Sequence, residues 1–147
     1  MINIIGSGGH AKVCRPIATG VGGIGYFIAI GNNKDRRKES KKYTQYATLI
    51  HGYARTDHDI SVREGTVVLE GAVIQAGCAI GTHVIINANA TVCHDCTIGD
   101  FAHIAPGAVL CGNVTVGEGA LVGANSTCLP GSIIEPWATI PAGSVVK

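Results

Sequence analysis

From Val62 to the end of the chain, every sixth residue is aliphatic, with Cys128 the one exception. The series Val62, Val68, Ile74, Ile80 runs on through Ile134 and Ile140 to Val146, fifteen positions without a register shift. A second series two residues earlier is mostly small, as at Ala72, Cys78, Ala90, Ala102 and Ser126. Gly, Asn or Asp fills most positions three residues later, as at Gly65, Asn89, Asp95, Gly107 and Asn125. Fixed self-similarity at this period specifies a solenoid, and six residues is the repeat of a parallel β-helix. Each unit is a short strand plus a corner. The large side chain fills the interior, the small one sits where the corner leaves little room, and Gly, Asn and Asp accept the positive φ of the corner. Three units close a triangular coil, so the repeats predict about five coils stacked about 4.8 Å apart.

A chain of 147 residues is one ordinary domain with room for a small appendage. Its net charge of +1 gives no general signal for a nucleic-acid or membrane partner. The apolar start, Met1 to Ile5, is broken at Gly6 before it reaches signal-peptide length. No apolar run approaches the roughly 20 residues of a membrane span, so a cytoplasmic location is the expectation. Of the six cysteines, Cys78, Cys96 and Cys128 fall in the inward series. Cys93-His94-Asp95-Cys96 has CxxC form, but the register puts its thiols on opposite sides of the wall. A disulfide or zinc role is disfavoured there.

Residues 1–50 read as a truncated α/β, Rossmann-like fragment with a cap, and residues 51–147 as the β-helix. The apolar strand 2–5 runs into Gly6-Ser7-Gly8-Gly9-His10-Ala11-Lys12, the form of a turn that offers backbone N–H groups to a phosphate. Pro16 and the run Gly20-Val21-Gly22-Gly23 are expected to cut the following helix short. A strand over 24–30 and a turn at Gly31-Asn32-Asn33 with N-cap potential come next. Residues 34–42 predict a short helix with six basic and two acidic residues. Such runs usually form a solvated face, with a contact to an anion or polyphosphate as the alternative. Tyr43 to Tyr53 is expected to cap the open end of the prism, whose coil would otherwise expose a sheet-like edge.

The repeats hold few residues of catalytic type, so His94, Asp95, Asp100 and His103 stand out. Both histidines fall at outward positions, half a coil apart. An outward imidazole beside a carboxylate suits a general base; a plain surface histidine at a corner is the other reading. β-Helical carbonic anhydrases place three histidines around zinc. His58 and His94 share a column, but the third position holds Gly99, short of the three or four protein ligands that zinc requires. No metal is expected.

Three segments together resemble the sialic-acid O-acetyltransferase / UDP-4-amino-sugar N-acetyltransferase family: Ile5 to Lys12, Ile28 to Asn33 with Thr48-Leu49-Ile50-His51, and Val92 to Phe101 with Pro106-Gly107-Ala108 and Gly112-Asn113-Val114. The resemblance spans nearly the whole chain in order. It implies a left-handed β-helix and a homotrimer with acetyl-CoA as acetyl donor in the groove between neighbouring prisms. It also implies transfer to an amino or hydroxyl group of a sugar or nucleotide-sugar. By position, His94 resembles the catalytic base and Asp95 the acid that raises its basicity. His103 resembles a donor contact from the neighbouring subunit. Gly112 resembles a backbone N–H donor to the acetyl group, and Ala124 and Ala142 resemble positions lining the donor groove. Gly8, Gly9 and His10 resemble the loop that holds the nucleotide-sugar. Between Lys12 and Phe27 the family usually carries a longer segment, and its C-terminal extension beside the donor site is not found after Lys147. An altered nucleotide subsite and weaker donor binding are expected from these departures. The alternatives are a non-catalytic trimeric β-helix that binds or supports, and a metal-dependent lyase of the carbonic anhydrase kind.

Overall fold

In the computed structural model, which describes residues 1–20 and 22–147, the repeats wind into a three-faced parallel β-solenoid. Its strands are two residues long, from β3 (Leu49–Ile50) to β19 (Val145–Val146). They stack in sheets of six, six and five, and each strand pairs in register with the one eighteen residues on, as Thr91 does with Val109. The first face holds the strands that begin at Leu49, Val67, Ile85, His103, Leu121 and Thr139. The second begins at Arg55 and includes Thr91–Val92, and the third begins at Ser61 and includes Thr97–Ile98.

The interior is the aliphatic series. From Val68 to Ile134 these side chains are at most 2% exposed, and only the end members Val62, Ile140 and Val146 are partly open. Polar members of the small series pair inside the wall. Thr66 Oγ1, Cys78 Sγ, Cys96 Sγ and Ser126 Oγ each donate to a carbonyl fifteen residues on. The inward cysteines therefore serve as core, and all six thiols are free. Every sixth residue from Gly65 to Gly143 has positive φ. Gly, Asn or Asp occupies most of these corners, but His83, Phe101 and Trp137 take the same conformation in one column.

The N-terminal segment forms β1 (Ile2–Ile5), α1 (Gly9–Gly20), β2 (Gly25–Ile28) and α2 (Asn33–Glu39), with a 3₁₀ turn over Ser40–Lys42. Strands β1 and β2 are parallel. Contrary to expectation, Pro16 lies inside α1 rather than ending it. Pro16 is exposed, so the Lys12 carbonyl it leaves unpaired can meet water. Val21, in the glycine run expected to stop the helix, lies outside the described residues. Asn32 is the N-cap of α2, its side chain accepting from the Asp35 N–H.

The segment lies along the first face, not over the prism's end. Ala11, Cys14, Ile17, Phe27 and Ala29 pack on Leu49, Val67, Leu69 and Ile85. Leu49–Ile50, expected in the cap, is instead the first prism strand, and the register already holds from there. His58, which shares a column with His94, therefore lies within the registered coils. The charge run also departs from a simple solvated face. Arg36 is 1% exposed. Its guanidinium donates to the carbonyls of His83, Phe101, Ile30 and Gly31 and to Asn33 Oδ1, at 2.7–3.1 Å. Asn33 in turn donates to the Gly119 carbonyl at 3.0 Å. Prism corners supply carbonyls that let a charged side chain leave water. Among the described residues, no helix is long and apolar enough to cross a membrane.

Candidate active site

His94 and Asp95 occupy the corner between the second and third faces, both exposed. Asp95 is the positive-φ residue, with φ 60°. That conformation turns its carboxylate back onto the preceding ring, where Oδ2 accepts from His94 Nδ1 at 2.8 Å. The proton is thereby held on Nδ1, leaving Nε2 with a free lone pair. The His94 backbone N–H donates to Gln75 Oε1 one coil below, at 3.1 Å. Gln75 thus fixes the backbone of the corner, a role with no cue in the repeat.

Gly112 sits one coil above. A Cβ there would lie 2.6 Å from both Cε1 and Nε2 of His94, so only glycine lets the ring keep its place. Its backbone N–H is also distinctive. In the two coils below, the equivalent N–H groups of Ala76 and His94 are capped by Asp57 and Gln75. The next residue in that capping column is Cys93, which offers no oxygen. The Gly112 N–H has no partner among the described residues. A free imidazole nitrogen and a free backbone donor therefore stand side by side on the open wall. Such a pair can take a proton and stabilise a developing oxyanion.

His103 is elsewhere. It points outward from the first face, as expected, but the Gly31–Asn33 stretch runs beside it and it is half-buried. Asn87 Nδ2 donates to its Nε2 at 3.0 Å, and the amide is held that way round because its Oδ1 accepts from Ala88 N. Burial first, then Arg36 and His10, push the His103 imidazole down to about 4. His10, on the first turn of α1, is likewise lowered to about 4 by burial and then Arg36. Its Nε2 lies 3.6 Å from Cys14 Sγ. The thiol of Cys14 is pushed up to about 12 by burial and stays protonated. Gly8 and Gly9 are exposed at the start of α1. Ala124 and Ala142 stack one coil apart at the corner between the first and second faces, half-buried and exposed in turn.

The residues singled out in the sequence thus fall into two groups. His94, Asp95 and Gly112 meet at one corner; His10 and His103 flank Arg36 on the face opposite that corner, with Ala124 and Ala142 at its edge. One chain does not bring the groups together. Among the described residues no three His, Cys, Asp or Glu side chains converge where they could hold a metal ion.

The model of the bacterial transferase hexapeptide family (six repeats) matches residues 80–112 and 95–130. The fold superposes on the acetyltransferase domain of PglB from Neisseria gonorrhoeae FA1090 with a TM-score of 0.96 and 29% identity, covering 99% of this chain and 90% of that one. Another structure of that domain is a complex with acetyl coenzyme A, at 26% identity and a TM-score of 0.88, covering 99% of this chain and 97% of that one. PerB from Caulobacter crescentus, in complex with CoA and GDP-perosamine, is 31% identical with a TM-score of 0.95, covering 99% of this chain and 88% of that one. No curated protein matches the sequence.

Proposed function

Because the chain belongs to the hexapeptide-repeat acyltransferases of the sialic-acid O-acetyltransferase / UDP-4-amino-sugar N-acetyltransferase family, we propose that it transfers acetyl from acetyl-CoA to an amino or hydroxyl group of a sugar or nucleotide-sugar. The observation that carries this reading is the His94–Asp95 pair at 2.8 Å, with the unpartnered Gly112 N–H beside the ring. It is strengthened by the likeness to an enzyme captured with CoA and GDP-perosamine.

Acetyl-CoA supplies an acetyl group already activated as a thioester. His94 Nε2 takes the proton from the acceptor nitrogen or oxygen as that atom attacks, and Asp95 stabilises the imidazolium that results. The Gly112 N–H donates to the oxygen on which negative charge builds. His94 then returns the proton to the departing sulfur, so the imidazole ends neutral. General-base assistance contributes about 10²–10⁴-fold, and one oxyanion donor about 10²–10³-fold.

The separation of the two residue groups supports a homotrimer of left-handed prisms, in which His94 of one chain faces His103, Ala124 and Ala142 of the next. The loop Gly8-Gly9-His10 would then hold the acceptor. A division into an N-terminal α/β fragment and a prism that begins at Leu49 rather than after residue 50, and a cytoplasmic location, belong to the same reading.

The test is thiol release from acetyl-CoA with a panel of UDP- and GDP-amino-sugars, free amino sugars and sialic acids, alongside His94→Ala. Acceptor-dependent release that disappears in the variant is the expected result. Absence of release with every acceptor, together with absence of CoA binding, would replace this reading with a non-catalytic trimer.

A further inference from the structure

Two of the six thiols stand outside the wall. Cys14, Cys78, Cys96 and Cys128 are buried, whereas Cys93 and Cys111 are half-buried on the second face. These two occupy one column a coil apart, since Thr91 pairs with Val109 and Val92 with Leu110. Each comes directly before a residue of the candidate site, Cys93 before His94 and Cys111 before Gly112.

In the coils below, this column has a regular task. The Asp57 carboxylate accepts from the Ala76 N–H at 3.0 Å, and Gln75 Oε1 accepts from the His94 N–H at 3.1 Å. Both bonds join a side chain to the backbone nineteen residues on. The same step from Cys93 reaches Gly112, whose N–H has no partner among the described residues. From Cys111 it reaches Pro130, which has no N–H to offer. The two stacked thiols thus differ in one respect. Above Cys93 a backbone donor lacks an oxygen, and above Cys111 there is no donor.

One group turns a cysteine into the kind of side chain that this column uses. An acetyl group on sulfur gives Cβ–Sγ–C=O, which matches Cβ–Cγ–Cδ=Oε1 of glutamine atom for atom. A methyl stands where glutamine has its amide nitrogen. An acetyl on Cys93 can therefore set its carbonyl oxygen on the Gly112 N–H, as Gln75 does on that of His94. Resting on the acetyl-CoA reading above, we propose that Cys93 is a site of S-acetylation by the enzyme's own donor, and that the modified side chain switches transfer off by occupying the Gly112 N–H.

The step is an exchange of thioesters. Cys93 Sγ attacks the acetyl carbon, the new Sγ–C bond forms, and the bond from that carbon to the CoA sulfur breaks. The thiol proton ends on the departing sulfur, so no oxidant or further reactant is consumed. Burial first, then Cys111, raises the Cys93 thiol above its ordinary range. The attack therefore needs a base, and the free Nε2 of the adjacent His94 can take the proton and return it. Attack by free CoA reverses the step. Because one thioester replaces another, the modified fraction follows the ratio of acetyl-CoA to CoA.

The test incubates the full-length protein with acetyl-CoA and no acceptor. Peptide masses then give the acetyl on each cysteine, and turnover is read after desalting and addition of acceptor. The expected acetyl on Cys93 is removed by neutral hydroxylamine or free CoA. It exceeds that on Cys111 about two- to tenfold, the worth of one net hydrogen bond. Turnover falls in step with Cys93 occupancy and returns after treatment with CoA. Cys93→Ala loses this donor-dependent inactivation, and Cys111→Ala keeps it. Equal acetylation of the two cysteines overturns the proposal, as does full turnover of protein acetylated at Cys93. The two readings fail separately. An enzyme that acetylates an acceptor but leaves Cys93 bare would sink this proposal alone. A protein that acetylates Cys93 yet serves no acceptor once CoA has cleared the thiol would sink the catalytic reading alone.

Discussion

The corner that carries His94 and the face that carries His103 are built from the same six-residue unit, yet they hold their histidines in opposite surroundings. At the corner the imidazole is exposed and its one ionic neighbour is a carboxylate. On the face the N-terminal segment excludes water and brings up Arg36, so His10, His83 and His103 are each pushed down to about 4. A neutral imidazole there can accept or donate a hydrogen bond but does not charge at neutral pH. The repeat puts a side chain outside the wall; what docks on the wall decides its chemistry.

The largest test of that contrast is removal of the exposed base. His94→Ala is expected to lower acetyl transfer by about 10²–10⁴-fold, with the thermal transition unchanged because the side chain fills no core volume. Retained turnover would take His94 out of the mechanism. Arg36→Met attacks the other region. It leaves several buried carbonyls without donors and is expected to cost about 3–5 kcal/mol. Hydrogen exchange should then accelerate in residues 1–48 far more than in the prism core, and uniform protection in the variant would show that Arg36 does not fasten the segment.

A subtler change sharpens the corner. Cys93→Gln supplies the oxygen missing from the capping column and should engage the Gly112 N–H, as Gln75 engages that of His94. A fall in kcat of about 10²–10³-fold is expected, while Cys93→Ala keeps its turnover. Equal activity of the two variants would mean that the Gly112 N–H is not used. The last test is a pH dependence of stability. The folded values near 4 lie below the usual histidine value of 6.5. As pH falls through 6.5 the unfolded chain therefore binds protons that the folded chain does not. The stabilisation is complete above about pH 6.5 and is lost progressively down to about pH 4. A melting temperature that stays flat from pH 7 to 4.5 would contradict the burial of these rings.

Much of the molecule was legible in the sequence, because in a β-helix the period alone assigns inside and outside. The buried series from Val68 to Ile134, the corner residues, the outward His94–Asp95 pair and the N-cap at Asn32 all follow from rules that act over a few residues. Gly112 was marked by likeness, and the reason it must be glycine became visible only one coil away, in the ring of His94. Gln75, Asn87 and Trp137 carried no comparable signal, although Trp137 and Phe101 broke the corner pattern and could have been read as exceptions with a cause. The charge run was the hardest to judge. Its sequence spacing does not separate Arg36, which is buried, from Lys38, which is exposed.

The sequence by itself determined the solenoid, its core and the corner at which a base can stand. Only the tertiary structure decided which outward residues are covered. Burying Arg36 depends on carbonyls 47 and 65 residues away, and a local pattern holds no record of partners that far along the chain.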